Sequence, residues 1–572
     1  MSKRFFVRWP VLLLIAVAVA DASMFAYLRF VFSPGWQSDA VSHMLNARMM
    51  LYAITPGFSQ LGFWPPILHL LLLPAVYFDV IYTSDTAGFI VLFPVLYGAT
   101  YCLFRTVEML TESRAYAWLS VALFLLNPYV LYYSTAPMTE IVYIAAYLSF
   151  VFCWLRWMKG ASDAWALFSA GFISIGFLSR YEGIVMVPLV IPLFFFSSLL
   201  RGAKVKQAAS LTILCLCLAM IGIAWVLLYG SYYGGDPFSF LAVGRRTGVE
   251  ESANVTTSII FNQIKRSSTN IDRVVTSWRL STTAAQHMIG SKVWIVGVFL
   301  SIYALLFSRN TTRTLGLLLA SMPFFAILGL LILKRANLAV PEVFVESNYR
   351  GSAYSNVRYL LPAIVLPVIG SAVALNQFGK GLLSRIMRVC AITLLLSITC
   401  WNLFDVVYVN KFRVIRRDIS NVSTTWQLDS FGAIFDKYYD YGFVLMVRHF
   451  SEAGIARSKI PLNAFITEGS YLYIKQATKE PWLFARMVVV GTQSRIIQAN
   501  SLRKRAESEV FQTYYNEVYR DNAKTIYKLD DGAVQRAATS LGLSRKDIPS
   551  LNLNMRKWNP KQFYTDISAS KQ

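Results

Sequence analysis

The stretch QAASLTILCLCLAMIGIAWVLLY, residues 207–229, decides the fold class: 23 consecutive residues carry no charged side chain. At about 1.5 Å per helical residue such a run is long enough to cross roughly 30 Å of hydrocarbon. Working outward, comparable apolar runs predict eleven spans, near residues 10–32, 86–107, 115–133, 138–157, 163–178, 184–200, 207–229, 291–307, 314–333, 357–375 and 389–409. The composition agrees. Of 572 residues, 56% are hydrophobic and only 15% charged, with a mean hydropathy of +0.48. That excludes a water-soluble globule, in which about a quarter of residues are charged. The formal charge of +23 would suggest nucleic acid in a soluble protein. In a polytopic one it reports loop lysines and arginines beside anionic lipid, so no nucleic-acid partner is expected.

Orientation follows from the basic residues, which fall in alternate connections. Lys3, Arg4 and Arg8 precede the first span, and Arg105 with Arg114, Arg156 with Lys159, Arg201 with Lys204, Arg309 with Arg313, and Arg385 with Arg388 repeat the pattern. The positive-inside rule places those connections and the N-terminus in the cytoplasm and the C-terminus outside, as expected of an integral protein of the cell membrane. A competing reading of the N-terminus is a cleaved signal peptide ending at Ala20-Asp21-Ala22. Residues 1–409 form a transmembrane domain with three long external loops, 33–85, 230–290 and 334–356. The first loop holds a short interfacial helix at 39–53 and a second, proline-started one at 65–78. Residues 410–572 lose the long apolar runs; β-like stretches at 443–447, 487–490 and 525–529 alternate with helical ones such as 500–519, which predicts an extracytoplasmic α/β domain. Cys102, Cys153, Cys215, Cys217, Cys390 and Cys400 all sit in apolar runs and read as buried small hydrophobes.

Chemistry-bearing residues gather at the outer ends of the spans. Asp39 and His43 lie four residues apart, on one face of the interfacial helix, where Asp39 is either a helix cap or a general base or metal ligand. Glu140 opens the fourth span and has the same two readings. Arg180-Tyr181-Glu182-Gly183 fills the external turn between the fifth and sixth spans, and Arg358-Tyr359 opens the tenth. Interfacial Arg and Tyr commonly anchor spans, but converging guanidinium groups also bind phosphate bidentately. The loop after the seventh span contributes Asp236, Arg245 and Arg246. Asp21, inside the first span, is the acid that hydrocarbon penalises most, and it supports the alternative of a secondary transporter or lipid flippase.

Taken together, the chain resembles the GT-C class of membrane glycosyltransferases, which includes protein O-mannosyltransferases and aminoarabinose transferases. The resemblance covers roughly residues 1–410 and rests on Asp39, the Trp-Pro-Pro-Ile-Leu-His stretch at 64–69, Asn127-Pro128 with Thr139-Glu140, Arg180-Tyr181-Glu182-Gly183, Gly235-Asp236-Pro237 and Arg358-Tyr359-Leu360-Leu361-Pro362. It implies a polyprenyl-phosphate sugar donor, membrane lipids around it, a glycan, lipid or protein acceptor, and inversion at the anomeric carbon. By the same resemblance Asp39 and Glu140 are catalytic, with Asp39 the base, while Arg180, Tyr181, Arg358 and Tyr359 hold the donor phosphate. His69, Asp236, Arg245 and Arg246 belong to donor or acceptor loops. Where many relatives carry a second acid, Ala40 follows Asp39. No cofactor is certain; a divalent metal stays open, with Asp39, His43 and Glu140 as its ligand set. The Trp-Trp-Asp-Tyr-Gly signature of oligosaccharyltransferase catalytic subunits is absent. A lipid phosphate leaves as a stable anion, so one base plus cationic stabilisation can suffice for the transfer.

Overall fold

The computed structural model describes residues 8–32, 38–62, 64–234, 237–238, 270–333, 338, 340, 356–379, 381–415, 428–447, 452–491, 497–521, 524–540, 542, 544, 548 and 550. Its contacts divide the chain into two compact units, Met1–Ala40 with Pro65–Ser420, and Val41–Trp64 with Asn421–Gln572.

The first unit is helical. It runs through α1 (Arg8–Phe32), the first turn of α2 (Ser38–Tyr52), α3 (Pro66–Val76), α4 (Asp79–Thr83), α5 (Ala87–Thr111), α6 (Arg114–Leu125) and α7 (Pro128–Thr135). There follow α8 (Thr139–Met158), α9 (Ala164–Ser179), α10 (Val190–Leu200), α11 (Val205–Tyr229), α12 (Asn270–Ile289) and α13 (Ser291–Leu306). The last are α14 (Thr311–Ile332), α15 (Val365–Gln377) and α16 (Leu382–Phe404). Among the described residues seven helices are long and apolar enough to cross a membrane, or nine if two bent pairs each count as one span. This is fewer than the eleven expected. The two that fall short are α9 and α10, with 16 and 11 residues. Pro188 and Pro192, which lack a backbone N–H, explain the second case: the chain passes through a 3-10 turn, Tyr181–Met186, before α10 begins. Helix α3, expected at the membrane surface rather than across it, packs on α5 and α9 with Leu68, His69 and Leu72 fully buried.

Both bends have identifiable causes. Helices α6 and α7 meet at 68° because Asn127 stops one and starts the other: its side-chain oxygen accepts from the N–H groups of Tyr129 and Val130, both at 3.0 Å, and Pro128 follows at the first helical position. Helices α12 and α13 meet at 112° around Gly290, whose φ of +99° suits glycine and whose added Cβ would lie 2.5 Å from the Asn402 side chain. The carbonyls exposed there are satisfied from other spans, with Asn127 Nδ2 donating to Met288 O at 3.0 Å and Asn402 Nδ2 to Ile289 O at 3.3 Å.

Burial separates the centre of this unit from its periphery. The best span window within 357–377 is 89% buried, whereas that within 382–409 is 17% buried and displays Leu382, Leu383, Ile386, Met387 and Trp401. Small residues let α13 and α15 approach closely: a Cβ on Gly297 would meet Pro367, and one on Gly370 would meet Ser301. The cysteines follow the same division. Cys102, Cys153 and Cys215 are buried as expected, but Cys217, Cys390 and Cys400 are exposed on apolar helix faces, where hydrocarbon serves as well as a protein core.

The second unit is α/β. Its helices are α17 (Leu428–Tyr438), α18 (Glu452–Arg457), α19 (Ile474–Lys479), α20 (Pro481–Phe484), α21 (Ile497–Ala506), α22 (Glu509–Tyr514) and α23 (Asp531–Ser540). Its strands are β1 (Phe443–Met446), β2 (Phe465–Ile466), β3 (Ala485–Gly491), β4 (Tyr515–Arg520) and β5 (Lys524–Leu529), in the order β2-β1-β3-β5-β4. Strand β1 runs parallel to β2 and β3, while β5 runs antiparallel to β3 and β4. The helix expected over 500–519 therefore ends at Tyr514. The aromatic and β-branched residues that follow pair as a hairpin with β5. Alternation along β1 and β3 gives two cores: Leu445 and Val488 face one, Val444, Met446, Met487 and Val489 the other. The second core is completed by Leu45, Met49 and Ala53 of α2, far away in sequence. Thr55 and Gln60 fix that segment by donating to the Gly469 carbonyl, each at 3.1 Å.

Candidate functional site

In the first unit, four segments remote in sequence bring five charged side chains into one connected cluster. Asp39 stands in the first turn of α2 and Glu140 in the first turn of α8. Arg180 leaves the end of α9 in an extended conformation, and Glu182 follows it in the 3-10 turn. Arg358 is in a second 3-10 segment, Val357–Ile364, which begins after Asn356 in the left-handed region, φ 54°.

The pairing is specific. Arg180 donates through Nη1 to Glu140 Oε1 at 2.6 Å, through Nη2 to Glu182 Oε1 at 3.0 Å and through Nε to Glu182 Oε2 at 3.3 Å. Arg358 donates through Nη2 to Asp39 Oδ2, and its Nε lies 3.1 Å from Glu140 Oε1 without the alignment of a hydrogen bond. Glu140 Oε1 thus stands between both guanidinium groups, while its Oε2 is buried with no hydrogen bond. The face of Arg180 lies 4.5 Å from the centre of the Tyr359 ring, a cation–π contact.

Exposure is graded along the chain of charges. The side chains of Glu140, Arg180 and Arg358 are 1%, 6% and 8% exposed, whereas Asp39 is 30% exposed. The opening of the cluster is therefore at Asp39. Three carboxylates face two guanidinium groups, which leaves one negative charge in excess. Burial alone would raise the Glu182 carboxyl, but the charge of Arg180 and its hydrogen bonds hold it below the ordinary carboxylate value.

Asp39, Glu140, Arg180, Arg358 and Tyr359 are brought together, and other expected residues are placed elsewhere. Tyr181 packs its ring on Phe177, with centroids 6.0 Å apart. His69 is buried with Nδ1 3.0 Å from the Pro65 carbonyl, a bond across the first turn of α3. His43 belongs to the second unit, its ring 4.4 Å from that of Trp64. Asp236, Arg245 and Arg246 lie outside the described residues. The expected metal set of Asp39, His43 and Glu140 is not assembled: among the described residues no three His, Cys, Asp or Glu side chains form a metal-binding group. The two acids of that set turn to Arg358 instead. Glu182 was not assigned a role from sequence, although it stands two positions after Arg180 in the motif already singled out; a short acid beside an arginine in a tight turn is the signal that could have found it. Asp21 is fully buried in α1 and accepts a hydrogen bond from Ser134 Oγ in α7, while its other oxygen is buried without one.

No protein-family model and no curated protein matches the chain. Solved structures do. An archaeal oligosaccharyltransferase, AglB from Archaeoglobus fulgidus in complex with an inhibitory peptide and a dolichol-phosphate, is similar with a TM-score of 0.47 at 12% identity, over 92% of this chain and 75% of that one. The Archaeoglobus fulgidus oligosaccharyltransferase tethered by a disulfide to an acceptor peptide with the NVT sequon gives 0.45 at 11% identity, over 92% and 74%. ArnT from Cupriavidus metallidurans in the apo state gives 0.48 at 12% identity, over 91% and 98%.

Proposed function

We propose that this chain is an inverting glycosyltransferase of the GT-C kind, which moves a sugar from a polyprenyl-phosphate donor to an acceptor hydroxyl at the outer face of the membrane. The single observation that carries this reading is the Asp39–Arg358 pair at the accessible end of a buried charge cluster. It puts a proton acceptor beside a group able to take an anionic leaving group, which is the minimum inventory for the reaction.

Asp39 takes the proton of the acceptor hydroxyl as its oxygen bonds to the anomeric carbon. The bond from that carbon to the phosphate oxygen breaks on the opposite face, and its electron pair leaves with the lipid phosphate. Arg358 neutralises the charge that develops there, as a preorganised cation does most effectively in a site that excludes water. Glu140 holds the two guanidinium groups at a fixed separation. No step is routed through a divalent metal, because Asp39 and Glu140, two of its expected ligands, are paired with arginine. The isoprenoid tail keeps the donor in the bilayer, each buried CH₂ contributing about 0.8 kcal/mol. In this reading the N-terminus is cytoplasmic and residues 410–572 are extracytoplasmic.

The direct test is incubation of the purified chain with radiolabelled polyprenyl-phosphate sugars and a panel of lipid, glycan and peptide acceptors. Label transferred to an acceptor, with inverted configuration, is the expected result. Absence of transfer from every donor would refute the proposal. A second reading, secondary transport, has one observation in its favour: the buried Asp21 lies against α7, half of a broken span, as intramembrane acids of transporters do. It predicts that Asp21→Asn abolishes ion-coupled uptake in vesicles, whereas the transferase reading predicts that this variant still transfers sugar.

A further inference from the structure

The two arginines of the cluster are not equivalent. Each nitrogen of Arg180 donates to a carboxylate oxygen, its face is covered by Tyr359, and one partner, Glu140, is almost wholly buried. Nothing in that arrangement yields to an incoming anion without breaking a buried pair. Arg358 also lies over the Tyr359 ring, at the longer distance of 6.0 Å, but differs in its hydrogen bonds. Its one well-made hydrogen bond goes to Asp39, which is the most exposed acid of the cluster, and its contact with Glu140 is not aligned as a hydrogen bond.

We infer that Arg358 is shared between the base and the donor: it restrains Asp39 in the empty site and releases it when a lipid phosphate takes its place, so that donor binding itself frees the base. Arg180 is a positioning residue that holds Glu140, and Glu140 in turn keeps Arg358 in place while Asp39 departs. The charge count supports the exchange. The cluster already carries one negative charge in excess, and a phosphate added beside an Asp39 still bound to Arg358 would set two anions against one guanidinium. Moving Asp39 away relieves that repulsion and leaves its carboxylate, no longer neutralised by Arg358, to accept a proton. Hydroxyl activation is thereby withheld until a donor is present, which guards against wasteful proton transfer in an empty site.

This inference rests on the glycosyltransferase reading but is separable from it. The experiment is equilibrium binding of a radiolabelled polyprenyl monophosphate, without sugar, to the full chain in phosphatidylcholine nanodiscs. Removing the competitor should strengthen binding, so Asp39→Asn and Asp39→Ala are expected to bind at least about fivefold tighter than the natural chain, the low end for coupling between linked interactions. The same variants should transfer sugar roughly 10²–10⁴-fold more slowly. In an Arg358→Ala background the Asp39 substitutions should change binding by nothing, because the competition is for that side chain. The pair of Asp39 variants guards against one that misfolds, and monodisperse elution identifies the folded one. Unchanged or weaker binding by a folded Asp39 variant overturns the inference and leaves the enzyme reading standing. Failure of the natural chain and every variant to bind the lipid phosphate overturns both.

Discussion

Each unit of the molecule contains a buried arginine held by acids. In the second unit Arg486 is 5% exposed, donates to Asp440 Oδ2 at 2.8 Å and to Asp531, and lies over the Tyr441 ring at 4.0 Å. Lys528 adds a contact to Asp440 at 3.1 Å, so two cations meet two acids and the charges balance. All of these residues stand on or beside β1, β3 and β5, which hydrogen bonds already align. The cluster of the first unit draws on four segments, holds an unbalanced negative charge and buries its bridging acid rather than exposing it. A balanced network on one sheet braces a fold. An unbalanced one assembled from distant turns is open to a further charged group.

Substitutions can break that contrast. The largest expected effect is on Asp39→Asn, which should lower transfer by roughly 10²–10⁴-fold, the usual contribution of a general base, with thermal stability unchanged; near-normal turnover would make the first cluster as structural as the second. Glu140→Gln comes next. It leaves two buried guanidinium groups short of a partner and should destabilise the folded chain by about 3–5 kcal/mol, read as earlier thermal unfolding in detergent. Arg358→Ala should weaken donor binding by about 2–4 kcal/mol, measured in nanodiscs, and an unchanged affinity would remove it from the donor site. Smallest is Arg486→Ala, expected to cost about 1–3 kcal/mol of stability because its acids remain hydrated, with transfer kinetics intact.

The second network also has a pH signature. Burial would raise the Asp440 carboxyl, but hydrogen bonds from Arg486 and its charge hold it below the ordinary value of 3.8. A folded-state value below the unfolded one means that its stabilisation is present above pH 3.8 and is lost as the pH falls through that value and below. Natural and Arg486→Ala chains should therefore converge in thermal stability toward low pH and diverge at neutrality.

Much of this was legible in the sequence because membrane spans declare themselves by composition alone. The positions of α1, α5, α8, α11 and α14 follow from long apolar runs, and the convergence of Asp39, Glu140, Arg180 and Arg358 from their place at the ends of expected spans. What was hidden depends on tertiary pairing. The apolar side chains of Leu45 and Met49 read equally well as an interfacial helix or as one face of a sheet's core, and only the β1–β3 surface decides between them. The break at Asn127-Pro128 was quoted as a motif, yet the 68° bend it produces needs the carbonyls of another helix to receive the asparagine. The short α10 was masked by apolar residues on both sides of its prolines.

The elbow at Gly290 carries a consequence for assembly in the membrane. Asn127, made early, donates to both of its outward carbonyls, and Asn402, at the end of the last apolar helix, adds a second donor to that of Ile289. Until that final helix is inserted, the joint lacks one of its latches, so a nascent chain halted before residue 402 holds every earlier span without a finished hinge. The closing stitch of the bundle thus comes from its last apolar helix, which makes insertion of that helix a checkpoint for the whole membrane part.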